Sequence, residues 1–349
     1  MSECKKVFVG LSGGVDSSVA ALRLLQQGHD VTGVFIKVWH PDFLVCNWEQ
    51  ERLDAMRVAA KLGIPFLTCD AEAAYRDAVA HYFIESYRAG LTPNPDVMCN
   101  KEVKFGAFMD FAKERGADFI ATGHYAQKRG IELMRGVDTN KDQSYFLWTL
   151  TPEQLAYTLL PVGDSTKDVI RAEAAAADLL TAEKKDSQGV CFLGHIDIPN
   201  FLSHYIDLVP GTVLDTEGNA VGTHQGAFVY TIGQRHGFTL TTHDTTRTPH
   251  YVTGKDTKTN TISVSTTPPT LAGGDTLTLH TINLRDAIPK DGQLIAQTRY
   301  RQKPCPVTVI EQTDTTLTLR ITTTTEAVAK GQSCVLYCSE VCLGGGIIS

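Results

Sequence analysis

Apolar residues follow two different rhythms along this chain. In the first 210 positions, short unbroken apolar runs alternate with stretches of helical spacing. Residues 7–10 read as a buried strand and Gly13 and Gly14 as a turn. Residues 15–27 read as a helix with Val19, Leu22 and Leu25 on one face, stopping at Gly28. Residues 31–36 follow as a strand, 49–62 as a helix closed by Gly63, 65–69 as a strand, 105–115 as a helix and 119–122 as a short strand. Residues 172–180 are helical, and Thr151, Pro152 and Glu153 make a helix start upstream. Strand–helix–strand repetition predicts an α/β unit, a parallel sheet with helices on both faces. Beyond position 210 the pattern changes to short strands at 212–215, 228–232, 261–265, 276–282, 307–311, 316–321 and 333–338. Close spacing of this kind predicts small barrels or sandwiches, divided by a break at 265–273.

Composition supports the division. Residues 1–210 hold 23 Ala and 10 Thr, whereas 211–349 hold 7 Ala and 30 Thr. Alanine favours helix and threonine favours strand. The net charge of −7 lies wholly in the first part, which has 21 Lys+Arg against 28 Asp+Glu; the second has 11 of each. Acidity argues against a protein that coats nucleic acid, though it leaves room for local basic surfaces. No apolar run reaches the roughly 18 residues of a membrane span, and the start has no secretory apolar segment. A cytoplasmic protein is expected, with its nine cysteines mostly reduced.

The strongest local signal is Gly10, Leu11, Ser12, Gly13, Gly14, Val15, Asp16, Ser17 and Ser18 between a strand and a helix. Glycines let the backbone curl so that N–H groups and the helix start face an anion, and the serines add hydroxyl donors. The lysine of a Walker loop is absent. The loop resembles the PP-loop of ATP pyrophosphatases, which split ATP between the α- and β-phosphates and place AMP on a substrate oxygen. That resemblance implies ATP and Mg2+, with Asp16 organising metal and pyrophosphate. By itself it leaves synthetases that form C–N bonds and thiolases that use sulfur equally open.

Two cysteines bear on that choice. Cys99 follows the rigid turn Pro93, Asn94, Pro95, Asp96, with Lys101 and Lys104 close in sequence; Cys191 follows Lys184, Lys185 and Gly189. Positive charge nearby favours a thiolate. With these residues the chain resembles the bacterial-type tRNA-specific 2-thiouridylase (MnmA/TrmU) family. The matching stretches run in order: GLSGGVDSS (10–18), TPNPDVMCNKEVKF (92–105), ATGHYA (121–126), NKDQSYFLWTL (140–150), TAEKKDSQGVCF (181–192), YTIGQRHG (230–237), RYRQ (299–302) and CLGGG (342–346).

The family resemblance implies a PP-loop catalytic domain with a Rossmann-like sheet over 1–200, a small central β-rich domain over 201–267 and a C-terminal β-barrel over 268–349. It implies that residues 10–17, with Ile36 and Gly123, bind ATP. Asn94, Pro95 and Asp96 would meet the target uracil, with Asp96 an acid/base candidate. Cys99 would be the nucleophile and Cys191 the persulfide carrier, the two joined in a transient disulfide. His124, Lys141, Asp142, Gln143, Arg299, Tyr300 and Gln332 would contact tRNA. The implied reaction is thiolation at C2 of the wobble uridine in tRNAs of the Lys, Glu and Gln type. Sulfur would come from a cysteine desulfurase, directly or through relay proteins. Two basic groups, Lys128/Arg129/Arg135/Lys141 and Arg299/Arg301/Lys303, fit the same role.

The remaining features are plainer. Cys334, Cys338 and Cys342 lack a CxxC pair and a fourth ligand, so no metal site is expected. The chain departs from the family pattern at residues 39–46, at Ile36 where Met is common, at Gln188 and in the loop 241–250. A C–N-forming synthetase would need neither thiol. A non-catalytic tRNA binder would release no pyrophosphate. An iron–sulfur carrier would need a third cysteine, for which Cys46 is the weak candidate.

Overall fold

The computed structural model describes residues 3–44, 48–186, 197–241, 248–289 and 293–349. Cys191, Gln188 and Cys46 therefore lie outside the described residues. The first unit is a parallel five-stranded sheet. Its strands are β1 (Lys6–Gly10), β2 (Asp30–Lys37), β3 (Phe66–Asp70), β4 (Phe119–Ala121) and, after the hairpin β5 (Ala126–Arg129) and β6 (Glu132–Arg135), β7 (Thr158–Leu159). The order is β3-β2-β1-β4-β7, with every pairing parallel. Helix α1 (Val15–Gln26) leads from β1 to β2, and α2 (Trp48–Leu62) from β2 to β3. The chain runs outward from β1 in both directions, so β1 and β4 flank a switch point. Loops at the carboxyl ends of such strands form a ligand crevice.

The apolar pattern explains these elements. Residues 31–36 are all buried, as expected of a strand covered on both faces. In α1 the buried face is Val15, Val19, Ala20, Ala21 and Leu24, while Leu25 is exposed. The predicted face is thus turned by one position, because the alanines let the helix lie close to the sheet. The predicted helix at 172–180 is instead Lys167–Ala176. It starts from extended Thr166 and ends before Asp178, whose φ of 52° is left-handed. The predicted start at Thr151 holds as a capping box with Gln154, but the helix it opens is only Pro152–Ala156.

The central unit is a five-stranded sheet built on Gly211–Leu214, Ala220–His224, Phe238–Leu240, Tyr251–Asp256 and Thr261–Ser265. The predicted strand at 228–232 is a 3-10 turn over Ala227–Val229. A short apolar run without alternation fits either form, and here its residues point into a core shared with Phe83, Ile84 and Tyr87 of the first unit. The last unit is a closed six-stranded barrel. Thr276–Leu284, Thr316–Ile321, Cys305–Gln312, Leu294–Gln297, Ser333–Cys338 and Val341–Ile348 pair in that order, and the last returns to the first. Closure explains the glycines of CLGGG: a Cβ on Gly344 would lie 1.9 Å from the Asn283 carbonyl. The hairpin β5–β6 extends the same sheet, β6 pairing with Val341–Ile348. The barrel and the first unit are therefore welded through a common core holding Cys99, Phe105, Trp148, Val335 and Tyr337. Each such aromatic, fully buried, contributes on the order of 2–3 kcal/mol.

Candidate active site

The glycine- and serine-rich loop sits where the sheet topology places a ligand. Gly13 is left-handed at φ +70°, and extended Gly14 opens α1. Ser12 N–H donates to Ser17 Oγ at 3.3 Å, and Gly14 N–H to Ser12 Oγ at 3.4 Å. Both are at the long end for hydrogen bonds, so a phosphate oxygen can replace them at little cost. Ser18 Oγ donates to the Gly14 carbonyl at 2.7 Å and braces the turn. Gly10 lies beside Ile36: a Cβ there would sit 3.6 Å from Ile36 Cδ1. Gly123, just past β4, abuts the other side of the loop, where a Cβ would lie 2.7 Å from Ser17 N and 2.8 Å from the Asp16 carbonyl carbon. The predicted nucleotide residues 10–17, Ile36 and Gly123 are thus brought together.

Asp16 is held by partners that sequence reading did not find. Tyr125 OH donates to its Oδ1 at 2.7 Å, and Lys167 Nζ reaches both carboxylate oxygens at 2.7 and 2.9 Å. Lys167 also pairs with Asp186 at 2.8 Å, and Arg171 with Asp186 at 2.9 Å. Lys141 completes the group by pairing with Asp186. Burial alone would raise the Asp186 pKa, but hydrogen bonds and charge from Lys141 and Lys167 outweigh it and hold the group at about 2. No local signal marks Lys167, which meets Asp16 across 151 positions. A carboxylate with a depressed folded pKa stabilises the fold above its unfolded value of roughly 4, and loses that contribution as pH falls toward 2. Asp186→Asn should therefore lower the urea midpoint at pH 6–7, and the difference from the parent should shrink below about pH 4 and vanish only below about pH 2. A gap that persists unchanged at low pH would show that the charge is not responsible.

The second predicted group is Asn94, Pro95, Asp96 and Cys99. Asn94 caps the short helix Pro95–Met98, its side chain accepting from Val97 N–H. Cys99 then opens a nine-residue π-helix, Cys99–Ala107. Such widened turns are rare and concentrate at functional sites; no sequence pattern announces this one. Cys99 is 0% exposed, so the polar, turn-like setting expected from its neighbours is not what the thiol meets. Lys101 pairs with Glu102 at 2.9 Å on the outer side of the helix. Beside Cys99, Asn100 is buried and donates to the Phe146 carbonyl at 3.3 Å, while its Oδ1 has no partner among the described residues. A buried acceptor left in this state costs about 1–3 kcal/mol.

His124 connects the two groups. It follows Gly123, its Nδ1 lies 2.8 Å from Thr122 Oγ1, and its ring packs against Phe105 on the helix that Cys99 begins. Burial, with the charge of Lys104, keeps its pKa well below the usual value, so it is neutral at pH 7. A continuous path of contacts thus runs from Ser17 through Gly123, His124 and Phe105 to the Cys99 helix.

The residues expected to contact tRNA separate into two classes. Arg299, Arg301 and Lys303 are exposed on the barrel, and Tyr300 packs on Phe146 with ring centroids 4.5 Å apart. The others are turned into the protein. Asp142 accepts from Arg135, Gly136 N–H, Ser144 N–H and Ser144 Oγ. Gln143 Oε1 accepts from Tyr125 N–H at 2.9 Å. Gln332 Nε2 donates to the Thr92 and Pro93 carbonyls at 2.9 and 3.3 Å. Lys128, Arg129, Arg135 and Lys141 do not form one open basic face: Lys128 donates to the Leu155 carbonyl, Arg129 pairs with Glu132, Arg135 with Asp142 and Lys141 with Asp186. Like charges close in sequence are separated here because each has its own acceptor. No group of three His, Cys, Asp or Glu among the described residues is arranged to hold a metal ion. No helix among them is long and apolar enough to cross a membrane.

Three family models match in succession: a tRNA methyl transferase HUP domain over residues 5–195, a tRNA methyl transferase PRC-barrel domain over 199–266 and an aminomethyltransferase beta-barrel domain over 274–348. Full-length relatives are equally uniform. A tRNA-specific 2-thiouridylase MnmA of Klebsiella pneumoniae is 45% identical over 361 residues, covering 100% of this chain and 98% of the relative. Proteins of the same name from Serratia proteamaculans and Proteus mirabilis are 44% identical, each covering 99% of this chain and 97% of the relative.

Proposed function

The chain belongs to the tRNA-specific 2-thiouridylase family, and from that premise we propose that it makes 2-thiouridine at the wobble position of tRNA at the expense of ATP. The observation that carries this reading is the contact path from the phosphate loop through Gly123, His124 and Phe105 to the helix headed by Cys99. It joins a nucleotide-activating site to a thiol site. The C2 carbonyl of uracil is a poor electrophile with a poor leaving oxygen. Attack of that oxygen on the α-phosphorus of ATP, with loss of pyrophosphate, turns it into a good leaving group. The terminal sulfur of a persulfide on Cys191 then bonds to C2 and AMP departs. The Cys99 thiolate attacks the Cys191 sulfur, closing a disulfide and leaving the former persulfide sulfur on the base. Two thiols are oxidised and one sulfane sulfur is reduced, so electrons balance. A variant route has Cys99 release hydrosulfide first. Either way a difficult substitution is divided into activation and attack.

Roles follow from position. Ser12, Gly14 and Ser17 offer donors to phosphates. Asp16 supplies oxygen donors of the type Mg2+ prefers, and when bound the metal would neutralise charge on pyrophosphate. Asn94, Pro95 and Asp96 are assigned to the target uracil, with Asp96 the acid/base candidate. The vacant Asn100 acceptor suits the single N–H donor on the pairing edge of that base. A wobble uridine stacked in its loop cannot enter such a site, so the base is splayed out. The exposed cations Arg299, Arg301 and Lys303 hold backbone phosphates, and sulfur arrives from a cysteine desulfurase or relay protein. A methyl-transfer reading has no use for a phosphate loop. A C–N-forming synthetase has no use for Cys99.

Incubation with tRNA, Mg-ATP and a sulfur donor, followed by nucleoside analysis, tests this directly. Thionucleoside is expected with pyrophosphate released in equal amount; ATP turnover with a small amine and no tRNA would overturn it. Because phosphate contacts release counterions, tRNA affinity should fall steeply with salt, by about tenfold or more between 50 and 200 mM for even three such contacts. A salt-independent Kd would remove the barrel cations from the interface.

A further inference from the structure

Thr92 is the place where the three units of the molecule meet. Its N–H donates to the Lys330 carbonyl of the barrel at 2.8 Å. Its hydroxyl lies 3.1 Å from Thr231 Oγ1 of the central unit. Its carbonyl, with that of Pro93, accepts from Gln332 Nε2 of the barrel. Thr92 is buried, and Gly331, at φ +90°, packs so closely that a Cβ would lie 2.9 Å from Leu91 Cβ and 3.1 Å from Thr92 N. The segment after Thr92 is stiff. Pro93 and Pro95 fix φ, Asn94 caps the next helix, and Cys99 stands seven positions on. A displacement at Thr92 therefore reaches Cys99 with little loss.

We propose that Thr92 and Gln332 are positioning residues: they tie both β units to the strap carrying Asn94, Asp96 and Cys99, so that tRNA held on the β units is registered against the thiol. This rests on the thiolase reading above. Gln332 gives its amide N–H group to the strap, so it can act on the reaction through the position of Cys99. The base must be set relative to Cys99 to within a fraction of an ångström, and misplacement of about 1 Å costs on the order of 100-fold.

The test uses the full chain with Gln332→Met, which keeps length and loses the donor, Thr92→Val, which keeps shape and loses the hydroxyl, and Thr92→Ser, which restores it. Single-turnover thiolation at saturating tRNA, tRNA Kd and thermal melting are measured for each. Gln332→Met and Thr92→Val should each slow saturated thiolation by roughly tenfold, and Thr92→Val should leave Kd within about twofold. The double variant should be less than additive, since both act through one strap. Thr92→Ser should return most of the rate. A weaker Kd with an unchanged saturated rate would make Gln332 a tRNA contact and overturn the proposal, as would no change in either. Should Gln332→Met melt early, Gln332→Glu, which keeps the length and the polar end but offers the strap no donor, takes its place and is expected to slow thiolation in the same way. Absence of thionucleoside with the parent chain would instead sink the thiolase reading itself.

Discussion

Cys99→Ser should abolish thionucleoside formation, by at least about 1,000-fold in rate, while pyrophosphate release with tRNA continues. Loss of a nucleophile costs factors of this size or larger, and a serine hydroxyl at neutral pH neither reduces a persulfide nor displaces a sulfur. The change is small in shape, so the fold should tolerate it: Cys99 sits in an apolar core, and exchanging sulfur for oxygen there costs about 1–3 kcal/mol of desolvation. Cys191→Ser should give the same chemical result with a distinct signature. It removes the persulfide carrier, so radiolabelled sulfur from a donor protein should no longer reach the chain, whereas Cys99→Ser should retain the label. The two variants thus separate loading from delivery. Thionucleoside formed at the parent rate by either variant would eliminate the two-thiol mechanism. Because Cys99 is buried, its alkylation should be slow in the free protein.

Gly123→Ala should lower kcat/KM for ATP by roughly 10- to 100-fold. The reason is contact and not conformation, since Gly123 has no left-handed φ. A methyl group would stand 2.7 Å from Ser17 N and 2.8 Å from the Asp16 carbonyl carbon. Both are backbone atoms at the start of α1, and neither can swing aside as a side chain would. Either β4 retreats or the phosphate loop opens by several tenths of an ångström, spoiling donors that must converge on phosphate. Overpacking of this kind also destabilises by about 1–3 kcal/mol. Gly254→Ala in the central unit is the control, because its nearest neighbour would be an ordinary 3.8 Å away. Pyrophosphate release against ATP concentration measures the difference. A parent-like KM in Gly123→Ala would show that the loop does not depend on this packing.

Local signals in this chain were strong where chemistry needs a particular backbone. The run from Gly10 to Ser18, the double proline around Asn94 and the stops at Gly28 and Gly63 are all visible without a structure. Strand positions in the barrel were legible for the same reason, through β-branched residues at short spacing. Legibility failed where partners lie far apart in sequence. Lys167 and Tyr125 lock Asp16, and nothing near either residue says so. The four cations from Lys128 to Lys141 look like one patch until their acceptors are seen. Gln332, expected at an RNA surface, turns toward Thr92. The apolar run at 228–232 had the composition of a strand and the geometry of a turn, because its core partners come from the first unit.

What sequence alone determined is therefore the set of candidate parts: a glycine- and serine-rich loop between strand and helix, two cysteines beside basic residues, a rigid strap before one of them, and an α/β half followed by β units. Each depends on residue types in short spacing, which the chain carries wherever it goes. Tertiary structure decided how those parts act together. It placed Gly123 against the phosphate loop and joined that loop to Cys99 through His124 and Phe105. It drew the hairpin β5–β6 into the barrel sheet and made Thr92 the meeting point of three units. The side-chain contacts at Thr92 alone close loops of 139 and 240 residues. Such contacts form only because the apolar cores around Trp148 and Phe105 repay the lost chain entropy together, and no local stretch contains that balance.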